Sequence, residues 1–195
     1  MAGVVISKIF ARIYVAPHED LPGAVLGQVM WIRLGVVVAL CFRRMEGVGL
    51  GVLPKRLEWT VGLREFLYFI PIGIVLSTLL KFRTFSWPRM PWWLIVLTFL
   101  GMLWVVALSE EFFFRGLLLQ WLRAWSGRET VALALTSVLF GMVHLPFGAF
   151  PNWRFAIIAA VAGWFYGRAY LKTGSIRSAM VSHALTNVTW KAFFG

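Results

Sequence analysis

The sequence predicts an all-α protein: a polytopic bundle of about six transmembrane helices, preceded by an N-terminal helix lying on the membrane surface. Three observations predict it. Of 195 residues, 60% are hydrophobic and 14% charged, with 11 Trp and 17 Phe, more apolar surface than one soluble core can hide. Apolar runs of spanning length recur along the chain, separated by clusters of Arg, Lys, Gly and Pro. The net charge of +11 is carried mostly by residues flanking those runs, where Lys and Arg meet lipid headgroups. That distribution makes the lipid bilayer a partner and argues against nucleic acid. A single cysteine, Cys41, in an apolar run, allows no disulfide within the sequence and no Cys-based zinc site.

The elements follow in order. Residues 1–16 place Val5, Ile6, Ile9, Phe10 and Ile13 on one helical face and Lys8 with Arg12 on another, a pattern that lies on a membrane better than it crosses one. The two charges interrupt any signal-peptide core, so the segment is expected to be retained. His18, beside Glu19 and Asp20, reads as solvated surface. A first span runs over about 22–42, from Pro22 to the Arg43-Arg44 pair, with Arg33 near its middle as a bundle-facing or snorkelling side chain. Residues 43–64, rich in Arg and Gly, read as a polar connection, and 65–81 as a second span. Trp87, Trp92 and Trp93 suit an interfacial aromatic belt.

Residues 92–125 contain no proline and read as one helix of about 50 Å, longer than the hydrocarbon layer needs, so it either projects or breaks. Gly127 marks a tight turn, after which 129–146 returns to Pro146, and 154–172 and 176–193 complete the count. With no internal repeat and no low-complexity tract, residues 1–195 read as one integral membrane domain. Arg greatly outnumbers Lys, as in a GC-rich prokaryotic genome, which points to a prokaryotic cell membrane.

Ionisable groups inside apolar spans are costly, and here they recur at helical spacing in three motifs: Glu110-Glu111-Phe-Phe-Phe-Arg115, Phe140-Gly-Met-Val-His144 and His183-Ala-Leu-Thr-Asn187. In an antiparallel hairpin about Gly127, Glu110 and His144 are equally distant from the turn and come to the same depth. Glu111 and Arg115, four apart, are placed for an ion pair, while Glu110 points about 100° away and lacks a cation on its own helix. Glu110 is therefore the carboxylate left to act as a base. His183 and Asn187, also four apart, share a face, and a neutral imidazole and an amide can both donate hydrogen bonds to an oxyanion. Phe140 reads as packing against the helix pair. A base, a histidine to hold water and two convergent donors suit hydrolysis of a peptide bond within the membrane.

In this order, and with the context Ser109-Glu-Glu-Phe-Phe-Phe-Arg-Gly-Leu-Leu-Leu, the motifs resemble the CPBP family, the CAAX proteases and bacteriocin-processing enzymes also called Abi proteins. The resemblance covers residues 91–193, which makes that stretch the expected catalytic core. It implies a glutamate-dependent intramembrane endopeptidase, similar to type II CAAX prenyl endopeptidases, acting on a membrane-associated protein or peptide. Glu110 would activate water with His144, Glu111 and Arg115 would order the site, and His183 and Asn187 would stabilise the tetrahedral oxyanion. No cofactor is implied.

Two other readings stay open on the residues alone. Two histidines and a carboxylate are a zinc ligand set, although no His-Glu-x-x-His pair lies on one helix, and using both histidines as ligands leaves Asn187 alone at the oxyanion. A noncatalytic binding or immunity module could use the same bundle to hold a peptide.

Overall fold

The computed structural model describes residues 34, 35, 37, 38, 48–51, 53–88, 90–148 and 150–194. The chain divides into two units, Met1–Glu46 and Gly47–Gly195. In the first, Leu34, Gly35 and Val37 are helical. The surface helix expected over 1–16 and the span expected over 22–42, with His18, Arg33 and Cys41, lie outside the described residues, apart from those few positions.

The second unit is all-helical among the described residues. Its helices are α1 (Arg56–Leu79), α2 (Trp92–Ser126), α3 (Glu129–Met142), α4 (Trp153–Thr173) and α5 (Ile176–Phe193). Helix α1 begins nine residues before the expected span, because the Glu58 carboxylate accepts the Lys55 backbone N–H at 2.6 Å and pairs with Arg177 of α5 at 2.6 Å. Helix α2 runs unbroken for 35 residues, but Met102–Ala107 and Phe112–Leu119 are π-helical and flank the short α-helical turn Leu108–Glu111. Such segments shift which side chains share a face, and they concentrate at functional sites. Gly127, at φ 64°, closes α2 in the left-handed conformation and reverses the chain into α3. Helix α3 stops at Met142, four residues short of the expected end, so His144 sits in the following turn, whose Asn152 then caps α4 by accepting from Phe155 N.

Among the described residues two helices, α1 and α2, are long and apolar enough to cross a membrane, and α3 is apolar but only 14 residues long. Of the six expected crossings, the first lies outside the described residues apart from a few positions, and α4 and α5 do not read as apolar spans. Helix α5 is the central element, with Ser178, Ser182, His183 and Thr186 buried against protein, so it does not need an apolar outer face. The outward faces of α1 and α2 carry Leu63, Leu67, Val75, Leu97, Phe113 and Trp121, all exposed.

Small residues let the inner helices meet. A Cβ on Gly141 of α3 would stand 2.4 Å from the Ala156 carbonyl of α4, and one on Gly167 of α4 would stand 2.2 Å from Leu133 of α3. Two ion-pair systems tie α1 inward: Glu58 to Arg177, and the fully buried Glu65 to Arg168 and Lys172 of α4. Leaving either carboxylate unpaired would cost several kcal/mol, which fixes the approach of α1 to α4 and α5.

Candidate active site

Glu111 organises the centre of the bundle. Its side chain is fully buried, and Oε1 accepts from Arg115 Nη1 at 3.0 Å and from His183 Nδ1 at 2.7 Å. The first bond is the expected four-residue pair, whereas the second joins residues 72 apart in sequence and needs the fold. Arg115, itself wholly buried, gives a second N–H to the Gly163 carbonyl of α4 at 2.7 Å. Its guanidinium lies over the rings of Phe140 at 4.7 Å and Tyr166 at 5.5 Å. In a desolvated setting each such contact contributes about 2 kcal/mol. Gly163 is small because a Cβ there would press on Phe140 at 3.1 Å and on Arg115 Nη2 at 3.3 Å.

Phe140, expected only to pack, is a hub. Its ring lies 4.7 Å from the His144 ring, 5.6 Å from His183 and 5.9 Å from Tyr166. His144 Nδ1 is 2.7 Å from the Phe140 carbonyl, and a carbonyl only accepts, so Nδ1 carries the proton. In the neutral ring, Nε2 is therefore a bare acceptor, the form that can hold a water by its O–H. His183 is clamped as firmly: Tyr166 stacks on it at 4.6 Å and 12°, and Tyr166 in turn hydrogen-bonds Thr186 one turn along α5. A proton shared between His183 and Glu111 Oε1 at 2.7 Å likewise lies on the Nδ1 side of the ring. In that tautomer Nε2 of His183 donates to an oxyanion only when the ring is doubly protonated. In that form it would stand between two carboxylates, Glu111 on Nδ1 and Glu110 Oε2 at 3.9 Å from Nε2.

Glu110, His144, His183 and Asn187 all line one half-open cavity of about 520 Å³, with mainly apolar walls that include Phe69, Met102, Phe155 and Trp190. The Glu110 side chain is 30% exposed, and its buried Oε2 has no hydrogen-bond partner among the described residues. Asn187 Nδ2 rests 3.9 Å from Met102 Sδ, a weak acceptor that an oxyanion would readily displace. The six candidate catalytic residues thus converge, four on the cavity and two, Glu111 and Arg115, behind it, and Phe140 of the second motif also lines the wall.

Glu111 is taken up by Arg115 and His183, and among the described residues no three of His, Cys, Asp or Glu gather as metal ligands. Tyr166 and Gly163 were not singled out by sequence, because neither belongs to a spaced polar motif. An aromatic within α4 reads as core until its stacking partner is known.

A family model described as type II CAAX prenyl endopeptidase Rce1-like matches residues 91–189, which include all three motifs. No curated protein and no solved structure matches the chain. The matched stretch covers half of the chain and contains every motif side chain that lines or supports the cavity, so the chain belongs to the Rce1-like family of type II CAAX prenyl endopeptidases.

Proposed function

We propose that the protein is an intramembrane endopeptidase that hydrolyses a peptide bond of a membrane-associated protein, with Glu110 as general base on water and no metal. The observation that carries this reading is the Glu110 carboxylate on a largely apolar cavity, its Oε2 without a hydrogen-bond partner among the described residues and 3.9 Å from His183 Nε2, sharing the walls with His144, His183 and Asn187. Water held between Glu110 and Nε2 of His144 loses a proton to Glu110 as its oxygen bonds to the scissile carbonyl carbon. The carbonyl oxygen becomes an oxyanion, taken by Asn187 Nδ2 and by Nε2–H of the His183 imidazolium. Collapse breaks the C–N bond, and the proton on Glu110 passes to the leaving amine. Glu111, with Arg115 behind it, balances and orients His183 throughout, and Tyr166 keeps its ring plane fixed.

The exposed apolar faces of α1 and α2 support a bilayer setting, and the family's name supports a lipid-anchored, CAAX-type substrate. The test is cleavage of membrane-associated reporter peptides by purified protein in nanodiscs. Glu110→Gln, which keeps size and hydrogen bonding but cannot take a proton, should lower kcat by a factor of about 10² to 10⁴. A chelator should leave the wild-type rate unchanged. Near wild-type cleavage by Glu110→Gln contradicts the mechanism.

A further inference from the structure

Away from the cavity, the groove between α1 and α4 holds more positive charge than it balances. The fully buried Glu65 carboxylate of α1 takes Lys172 Nζ at 2.5 Å and Arg168 Nε at 3.3 Å, both from α4. Arg168 is 35% and Lys172 37% exposed, so each meets the surface as well as the carboxylate. Arg64 adds a third cation. Successive residues of a helix stand about 100° apart, so Gly62, which packs on Ser178 and Val181 of α5, lies on one side of Glu65. Arg64 and Tyr68 lie on the other side, at the outer edge of the α1–α4 groove. Arg64 is exposed, and none of the described carboxylates pairs with it. Three positive charges against one negative leave the groove at a net +2.

Depth and surroundings say what balances it. Lys172 is the next-to-last residue of α4, and α1 begins at Arg56, so the cluster sits near one end of the bundle. The ends of α2 and α4 meet there, with Gly127 and Gly174 lining the same cavity, and Trp59, Trp121 and Trp125 are exposed at that end, as side chains at a headgroup layer are. Leu63 and Leu67 of α1 are exposed beside the cluster. Uncompensated charge bordering hydrocarbon is costly, and basic pockets between helices at this depth suit lipid phosphates. A zwitterionic headgroup brings its own cation, whereas an anionic one brings only the charge the groove lacks. We propose that Arg64, Arg168 and Lys172 form a site for the phosphate of one anionic phospholipid, with buried Glu65 holding two of the three cations in place and the exposed Tyr68 hydroxyl beside them as a further donor. None of these five residues lines the central cavity, so the site is separate from the hydrolytic chemistry. Free phosphate offers the same chemistry, and the test separates the two sources.

The test counts bound lipid. Full-length protein, stripped of lipid in a neutral detergent, is titrated with phosphatidylglycerol or phosphatidylcholine, and each bound molecule is resolved by native mass spectrometry. One uncompensated basic side chain beside an anionic lipid is worth about fivefold in affinity, so a groove at +2 should prefer the first phosphatidylglycerol by about 25-fold. Arg64→Gln should leave a preference of about fivefold, and Arg64→Gln combined with Lys172→Gln a ratio of about one. Glu65→Gln, which removes the carboxylate from the groove, should raise the preference above that of wild type. A purely structural ion-pair cluster predicts otherwise for Glu65→Gln, lower stability with an unchanged lipid preference, and that result overturns the site. Arg64 is exposed, so its variant decides the matter even where substitution at Glu65 or Lys172 prevents folding. Equal binding of the two lipids by wild type, or a preference that Arg64→Gln leaves intact, overturns the site as well. Displacement of phosphatidylglycerol by millimolar inorganic phosphate assigns the groove to free phosphate and overturns the lipid assignment.

Discussion

Tyr166 shows how a residue outside the motifs governs those within them. It is buried, its ring stacks on His183, and the Arg115 guanidinium lies over it, so the ring sets the plane in which His183 Nε2 faces the cavity. Tyr166→Phe keeps the stack and loses only the bond to Thr186, whereas Tyr166→Leu removes the stack. An aromatic contact of this kind contributes about 0.5–1.5 kcal/mol. The expected result is near wild-type kinetics for Tyr166→Phe and a loss of up to about tenfold in kcat for Tyr166→Leu, with KM little changed. A loss that falls on KM, or equally on both variants, would show that the ring acts on binding or folding instead. The Glu111–Arg115 pair was legible because four residues on one helix face the same way. The bonds from His183 to Glu111 and from Arg115 to Gly163 were not, since both join elements whose relative placement no local pattern encodes.

At the scale of elements, glycine positions separate contact from propensity. Gly141 faces the α4 backbone at a distance no Cβ tolerates, whereas nothing stands within 4 Å of a Cβ on Gly101 of α2. Gly141→Ala should therefore destabilise by about 1–3 kcal/mol through overpacking, while Gly101→Ala should stabilise by up to about 1 kcal/mol through helix propensity. Thermal midpoints in detergent check both, and the same sign for the two would contradict the packing described. The bounds of α4 and α5 were readable to within a residue or so, because Asn152, Gly174 and Ser175 are strong end signals. The start of α1 was hidden by its charges: Arg56, Glu58 and Arg64 resemble a loop until Arg177 is found beside Glu58. The π-helical segments of α2 have no sequence signature that periodicity could detect.

For the whole molecule, the apolar surface and the polar centre belong to one arrangement. Large hydrophobic side chains face outward on α1 and α2, while Glu111, Arg115 and His183 are enclosed, an inversion suited to hydrocarbon outside and hydrolysis inside. The protein is accordingly expected to stay in the membrane fraction after alkaline carbonate and to need detergent for release, and release by carbonate alone would contradict a spanning bundle. Hydropathy revealed the class of fold, and among the described residues two helices read as apolar spans, while α5, enclosed by protein, is too polar to read as one. The central claim, proteolysis with Glu110 as the base, is tested most directly by comparing new protein N-termini in membranes expressing wild type or Glu110→Gln at matched levels. The account predicts a set of membrane-associated termini present only with wild type. The same termini in both membranes would contradict it.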